Sequence, residues 1–100
     1  MSADTITMTH HESSRGGEYR AHTEGGTHAG ELTWRDGGQD VRIADHTGVP
    51  TDMQGKGIAG MLVDALIADA REHGFKIVPA CSYVAAQFKR HPDWADLRAD

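Results

Sequence analysis

Ala59, Leu62, Val63, Leu66, Ile67 and Ala70 recur at the spacing of one helical face, with Asp64 and Arg71 on the opposite side. The pattern predicts one long amphipathic helix. Gly74 should end it, because glycine takes the left-handed cap conformation freely, and Arg71 and His73 put positive charge in the last turn, where the dipole is negative. Phe75 to Pro79 then reads as a strand, and the intervening helix requires it to run parallel to the strand before. Pro79 has no N–H to donate, so pairing should fail near it and a cleft should open between the two strands.

Upstream of the helix, strand candidates at Glu18 to Thr23, Thr27 to Arg35 and Gln39 to Val49 are separated by Gly25-Gly26 and Asp36-Gly37-Gly38, which predicts a meander. In the last of them Val41, Ile43 and Asp45 alternate against Arg42, Ala44 and His46, so one face turns from apolar to polar near its end, where a ligand fits. Ser82 is expected to cap a short helix, Tyr83 to Arg90, which Pro92 ends. Trp34, Phe75, Phe88 and Trp94 read as core. Met1 to Gly17 is polar without a sustained apolar period and reads as a flexible tail, leaving one domain over 18–100. The expected class is α/β (α+β): a mixed, mainly antiparallel sheet with one long helix and a short C-terminal helix.

Composition narrows the function. A chain of 100 residues supports one small core, and a formal net charge of −5 with few Lys/Arg clusters argues against nucleic acid. No apolar run approaches the roughly 18 residues of a membrane span, no secretory signal is legible, and a lone cysteine cannot form an internal disulfide. A cytoplasmic protein is the expectation.

The chemistry starts at the helix entry. Gln54-Gly55-Lys56-Gly57-Ile58-Ala59-Gly60 opens the helix without a Ser, Thr, Asp or Asn cap, so the first backbone N–H groups and the positive end of the dipole are left for an anion such as a phosphate, with Lys56 adding charge. A Walker A loop would need Ser or Thr after Gly-Lys, and a dinucleotide fingerprint would follow the first strand; neither fits. Cys81 stands where a strand feeds a helix N-terminus, a location that lowers a thiol pKa, although free cysteines are more often small buried hydrophobes. His46, at a strand edge by the expected cleft, suits deprotonation of an ammonium group. No Cys/His grouping has metal-ligand spacing, so no metal site is expected.

Read as Gln-x-x-Gly-x-Ala, the residues Gln54, Gly57 and Ala59 resemble the acetyl-CoA pyrophosphate loop of the GNAT acetyltransferase superfamily. Together with His46-Thr47, Leu62-Val63, Pro79-x-Cys81-Ser82-Tyr83 and Arg90-His91-Pro92 they resemble the minimal YjdJ-type N-acetyltransferases, over about Glu18 to Leu97. The resemblance implies a GNAT-like fold, acetyl-CoA as co-substrate, and acetyl transfer to an amine, small molecule or protein, by direct attack in a ternary complex. The pyrophosphate would rest on Gln54, Gly55, Lys56, Gly57, Ile58, Ala59 and Gly60, with backbone N–H groups near Gly48 and Val49 stabilising the oxyanion. Lys89, Arg90 and His91 would face the 3′-phosphate, and His46, Cys81 and Tyr83 would serve catalysis, Tyr83 by protonating the departing thiolate. A covalent acyl-Cys81 route and a non-catalytic CoA-binding module are the alternatives. Larger relatives have extra N-terminal helices that help build the acceptor site; this chain has only strands there, so its groove is open or completed by a second subunit in a monomer or weak homodimer.

Overall fold

A computed structural model of the protein describes residues 6–23 and 28–99. Strands β1 (Ile6–Glu12), β2 (Gly16–Thr23), β3 (Ala29–Asp36) and β4 (Val41–Gly48) run antiparallel in chain order, and β5 (Lys76–Pro79) adds parallel to β4. Between β4 and β5 lie a 3₁₀ turn (Thr51–Met53) and helix α1 (Ile58–His73); after β5 come helix α2 (Ser82–Arg90) and a 3₁₀ segment (Pro92–Leu97). The mixed sheet, long helix and short C-terminal helix are the expected architecture. No helix among the described residues is long and apolar enough to cross a membrane.

One core holds the elements together. The α1 face carrying Ile58, Leu62, Val63, Leu66, Ile67 and Ala70 is buried with Tyr19, Ala21, Leu32, Trp34 and Ala44 of the sheet, and Val84, Phe88, Trp94 and Leu97 extend the same cluster. Trp34, Phe75, Phe88 and Trp94 are all core, as their hydrophobic bulk requires. Gly74 closes α1 in the left-handed conformation, its N–H donating to the Ala70 carbonyl at 2.9 Å. The Gly25-Gly26 turn falls outside the described residues.

The expected flexible tail is corrected from Ile6 onward by β1, while residues 1–5 of it lie outside the described residues. Ile6 to Glu12 pairs along its whole length with β2, and Ile6 and Met8 pack on the core. Only two apolar side chains mark the inward face, and His10 fills the third position. Its ring stacks on Tyr19 at 4.1 Å and 5°, and its Nε2 accepts a hydrogen bond from Trp34 Nε1 at 3.2 Å. Gly17, the end of the expected tail, lies instead in β2, where a Cβ would stand 2.7 Å from the Trp34 ring, so glycine is required by close approach.

A second departure lies between β3 and β4. Thr33 pairs with His46 and Trp34 with Ala44, so Asp45 is an extra residue in β4, a β-bulge. Strict alternation would put His46 on the face of buried Ala44. Instead Asp45 and His46 both turn to the polar face, Asp45 accepting from Thr33 Oγ1 (2.5 Å) and Arg35 Nε (3.0 Å), His46 meeting Glu31.

Candidate functional site

Pairing between β4 and β5 ends at Ala44 and Pro79, followed by one bond from the Cys81 N–H to the Ala44 carbonyl at 2.8 Å. Beyond it the β4 residues from Asp45 onward have no β5 partner, because Pro79 has no donor and Ala80 turns the chain back on Val78 (N–H to carbonyl, 3.0 Å). The expected parting of the strands is present, and α1 and α2 both begin beside it.

The loop leading into α1 is fixed before any ligand arrives. Buried Met53 pins the 3₁₀ turn, the Met53 N–H donates to Pro50 at 2.9 Å, and the Gln54 side-chain amide donates to the Val49 carbonyl at 3.2 Å. Gly55 (φ 84°) and Gly57 (φ 75°) then take left-handed conformations, and a Cβ at either would meet nothing within 4 Å. Gly57 is the N-cap of α1, and no side chain caps that end. A cavity of about 230 Å³ opens there, lined by Val49, Met53, Gln54, Gly55, Gly57, Ile58, Ala59, Gly60 and Tyr83. Bare helical N–H groups facing a glycine-walled cavity are chemically suited to a phosphate group, so the residues present fit the anionic end of a CoA thioester.

Tyr83, in the first turn of α2, faces this cavity: its hydroxyl lies 3.9 Å from where a Gly60 Cβ would be. Cys81, and not Ser82, is the N-cap of α2, and Ser82 is an exposed first helical residue. This corrects the expected cap, and the physical reason is that the chain is already extended at Cys81 (φ −79°, ψ 136°), so the helix begins one residue earlier. The half-buried Cys81 thiol donates to Thr47 Oγ1 at 3.5 Å. Burial pushes this thiol up, but hydrogen bonding by Thr47 and by the backbone at Val84 and Tyr83 outweighs it and sets the thiol below its ordinary value.

The structure therefore brings together Val49, the glycine loop and Tyr83, with Cys81 joined to the end of β4 through Thr47. It does not bring every expected residue into one cavity. His46 projects from the polar sheet face, its Nε2 3.5 Å from Glu31 and 3.0 Å from where a Gly48 Cβ would stand. Lys56 is exposed and lies outside the cavity lining. Lys89 and Arg90 are exposed at the far end of α2, ~10 Å along the helix from Tyr83 by its rise, and His91 stacks on Trp94 at 4.0 Å. Sequence reasoning missed Thr47 as the partner of Cys81 and Glu31 as the partner of His46; only the cross-strand register reveals either. Asp69, Glu72 and His73 are the one group of potential metal ligands among the described residues, but Asp69 already accepts from Tyr19 at 2.5 Å and the other two are exposed.

A sequence model of the family described as GCN5-related N-acetyl-transferase matches residues 18–97. The match runs from Glu18 in β2 through the last 3₁₀ segment and leaves β1 outside it.

Proposed function

Because that match over most of its length makes the chain a member of the GCN5-related N-acetyltransferase family, we propose that it transfers the acetyl group of acetyl-CoA to an amine by direct attack, in the manner of the minimal YjdJ-type enzymes. The observation that carries this reading is the uncapped N-terminus of α1 opening on a cavity that Tyr83 borders, beside the parted strands β4 and β5.

In this reading the main-chain N–H groups of Gly55 to Gly60 hold the pyrophosphate, an electrostatic task for which the Gln54 to Val49 bond preorganises the loop. The unpaired edge of β4 at Gly48 and Val49 offers backbone groups to the pantetheine arm and to the acetyl oxygen. Lys89, Arg90 and His91, at the end of α2, are assigned to the 3′-phosphate at the nucleotide end. His46 takes a proton from the incoming ammonium, and Tyr83 supplies one to the thiolate that leaves. Cys81, with its thiol set low, is the candidate for a proton relay or an acyl intermediate. Positioning does most of the work, since an amine and a thioester need little more than alignment and charge stabilisation to react.

Calorimetric titration with acetyl-CoA, followed by measurement of free thiol with and without an amine, tests the proposal. Saturable binding with thiol release that depends on the amine is expected. Binding without release under any amine establishes instead a CoA-binding module that does not turn over.

A further inference from the structure

We propose that Glu31 is a positioning residue for His46, so that a carboxylate–imidazole pair on the polar face of the sheet receives the proton of the amine acceptor. The inference rests on the acetyl-transfer reading and adds to it a residue and the side of the sheet from which the acceptor arrives.

Glu31 and His46 come together only because of the bulge at Asp45, which turns His46 out of the core face and over β3. Glu31 Oε2 lies 3.5 Å from His46 Nε2, and the imidazole is more than half exposed, at 58%. Gly48, the β4 residue paired with Glu31, lies under the same ring edge. The next residue, Val49, lines the cavity at the start of α1 and, with Gly48, forms the β4 edge assigned to the pantetheine arm and the acetyl oxygen. The pair therefore stands at the strand end where the acetyl group is expected.

Glu31 is itself held. Arg20, its partner across the β2–β3 register, approaches Glu31 Oε1 with a guanidinium nitrogen at 3.9 Å and meets Glu18 at 3.2 Å. Asp45, the other acid beside His46, is taken up by Thr33 and Arg35. Glu31 is thus the carboxylate left to face the imidazole. At 3.5 Å its negative charge favours the proton on Nε2, which leaves the free lone pair on Nδ1 to take a proton. In the reaction the proton moves from the ammonium nitrogen to Nδ1, giving a neutral amine and an imidazolium beside Glu31. The amine lone pair then forms the C–N bond as the C–S bond breaks, Tyr83 gives its proton to the departing thiolate, and the amine's second proton replaces it on Tyr83.

A double-mutant cycle reads the coupling. Acetyl transfer is followed with spermidine and tetralysine as amine probes in the native protein, Glu31→Gln, His46→Ala and the double variant, each checked for folding by circular dichroism and for acetyl-CoA affinity by calorimetry. Glu31→Gln should lower kcat about tenfold, a part of the 10²–10⁴ range of general-base catalysis, with acetyl-CoA affinity unchanged. It should cost nothing further in the His46→Ala background, because a residue that acts through His46 has no role once His46 is gone. If Glu31→Gln fails to fold, Glu31→Asp carries the same cycle. A full and additive loss in the His46→Ala background, or no loss in the native background, overturns the role of Glu31 alone. A native protein that binds acetyl-CoA but acetylates neither probe overturns this inference, and the absence of thiol release with every amine tried overturns the acetyl-transfer reading beneath it.

Discussion

Replacing Gly57 by Asp should separate the stability of the protein from its affinity for CoA. Gly57 is in the left-handed region at φ 75°, where a Cβ costs about 1–2 kcal/mol in general and less for Asp, which tolerates that conformation. No atom lies within 4 Å of the new Cβ, so no steric term adds to this. A carboxylate at the N-terminus of α1 recovers about 0.3–1 kcal/mol from the dipole. The fold should therefore lose about 1 kcal/mol or less. A bound phosphate meets the opposite situation: at ~6 Å and an effective dielectric of about 20, the carboxylate repels it by about 2.8 kcal/mol before salt screening. CoA affinity should fall by more than about 1.4 kcal/mol, a factor of ten. Gly57→Ala is the control for a side chain without charge; it bears the full left-handed strain, which urea unfolding reads separately from affinity. Calorimetric titration of both variants, with urea unfolding alongside, measures the two quantities. If folded Gly57→Asp binds CoA as tightly as Gly57→Ala, the anion is not held at the start of α1.

Deleting Met1 to Glu12 should destabilise the protein by about 2 kcal/mol or more, from the lost burial of Ile6 and Met8 and the His10 to Trp34 hydrogen bond; a melting temperature within one or two degrees of the full chain would refute the packing role of β1. Burial, opposed by Asp69, lowers the His10 pKa, and protonation would also set a second N–H against that of Trp34. The unfolded chain therefore binds more protons just below the ordinary histidine value of 6.5, so stability should be complete above that pH and decline as pH falls through and below it. Denaturant midpoints of the native protein and His10→Phe across that range check this: the variant should lose less on acidification, and equal slopes would exclude His10 as the cause. Saturating CoA should slow alkylation of Cys81, and without CoA the thiol should react faster near neutral pH than an unperturbed one; identical rates with and without CoA would place the thiol outside the site. Cys81→Ser with full transfer activity would leave direct attack by the amine as the mechanism.

Strong local signals made much of this molecule legible. The period of Leu62, Val63, Leu66 and Ile67 marked α1, Gly74 marked its end, Pro79 marked the parting of β4 and β5, and the bare glycine entry marked an uncapped helix start that opens on a cavity. What stayed hidden depended on contacts distant in sequence. β1 was unreadable because His10 holds a core position through a ring stack and a Trp34 hydrogen bond, and no local scale counts histidine as apolar there. Likewise Glu31 and Thr47 acquire their meaning from His46 and Cys81, residues that lie beside them only once the strands and α2 are in register. The cap of α2 was misplaced by one residue because backbone geometry, and not a hydroxyl, begins that helix.

The extra residue at Asp45 gives β4 two reading frames. Upstream, even-numbered Arg42 and Ala44 face inward; downstream, the inward phase passes to odd-numbered Thr47, while His46 faces out. A strand's side-chain phase is a parity, so it survives the gain or loss of two residues and inverts with one. Flattening the bulge with Asp45 kept in regular alternation would leave every side chain of the site in the chain yet exchange the surfaces they address, turning His46 away from Glu31 and Thr47 away from Cys81. Deleting Asp45 itself, by contrast, would leave both on their present faces. The site's chemistry is thus written partly in a count of residues, and a variant that looks intact residue by residue can still have lost it.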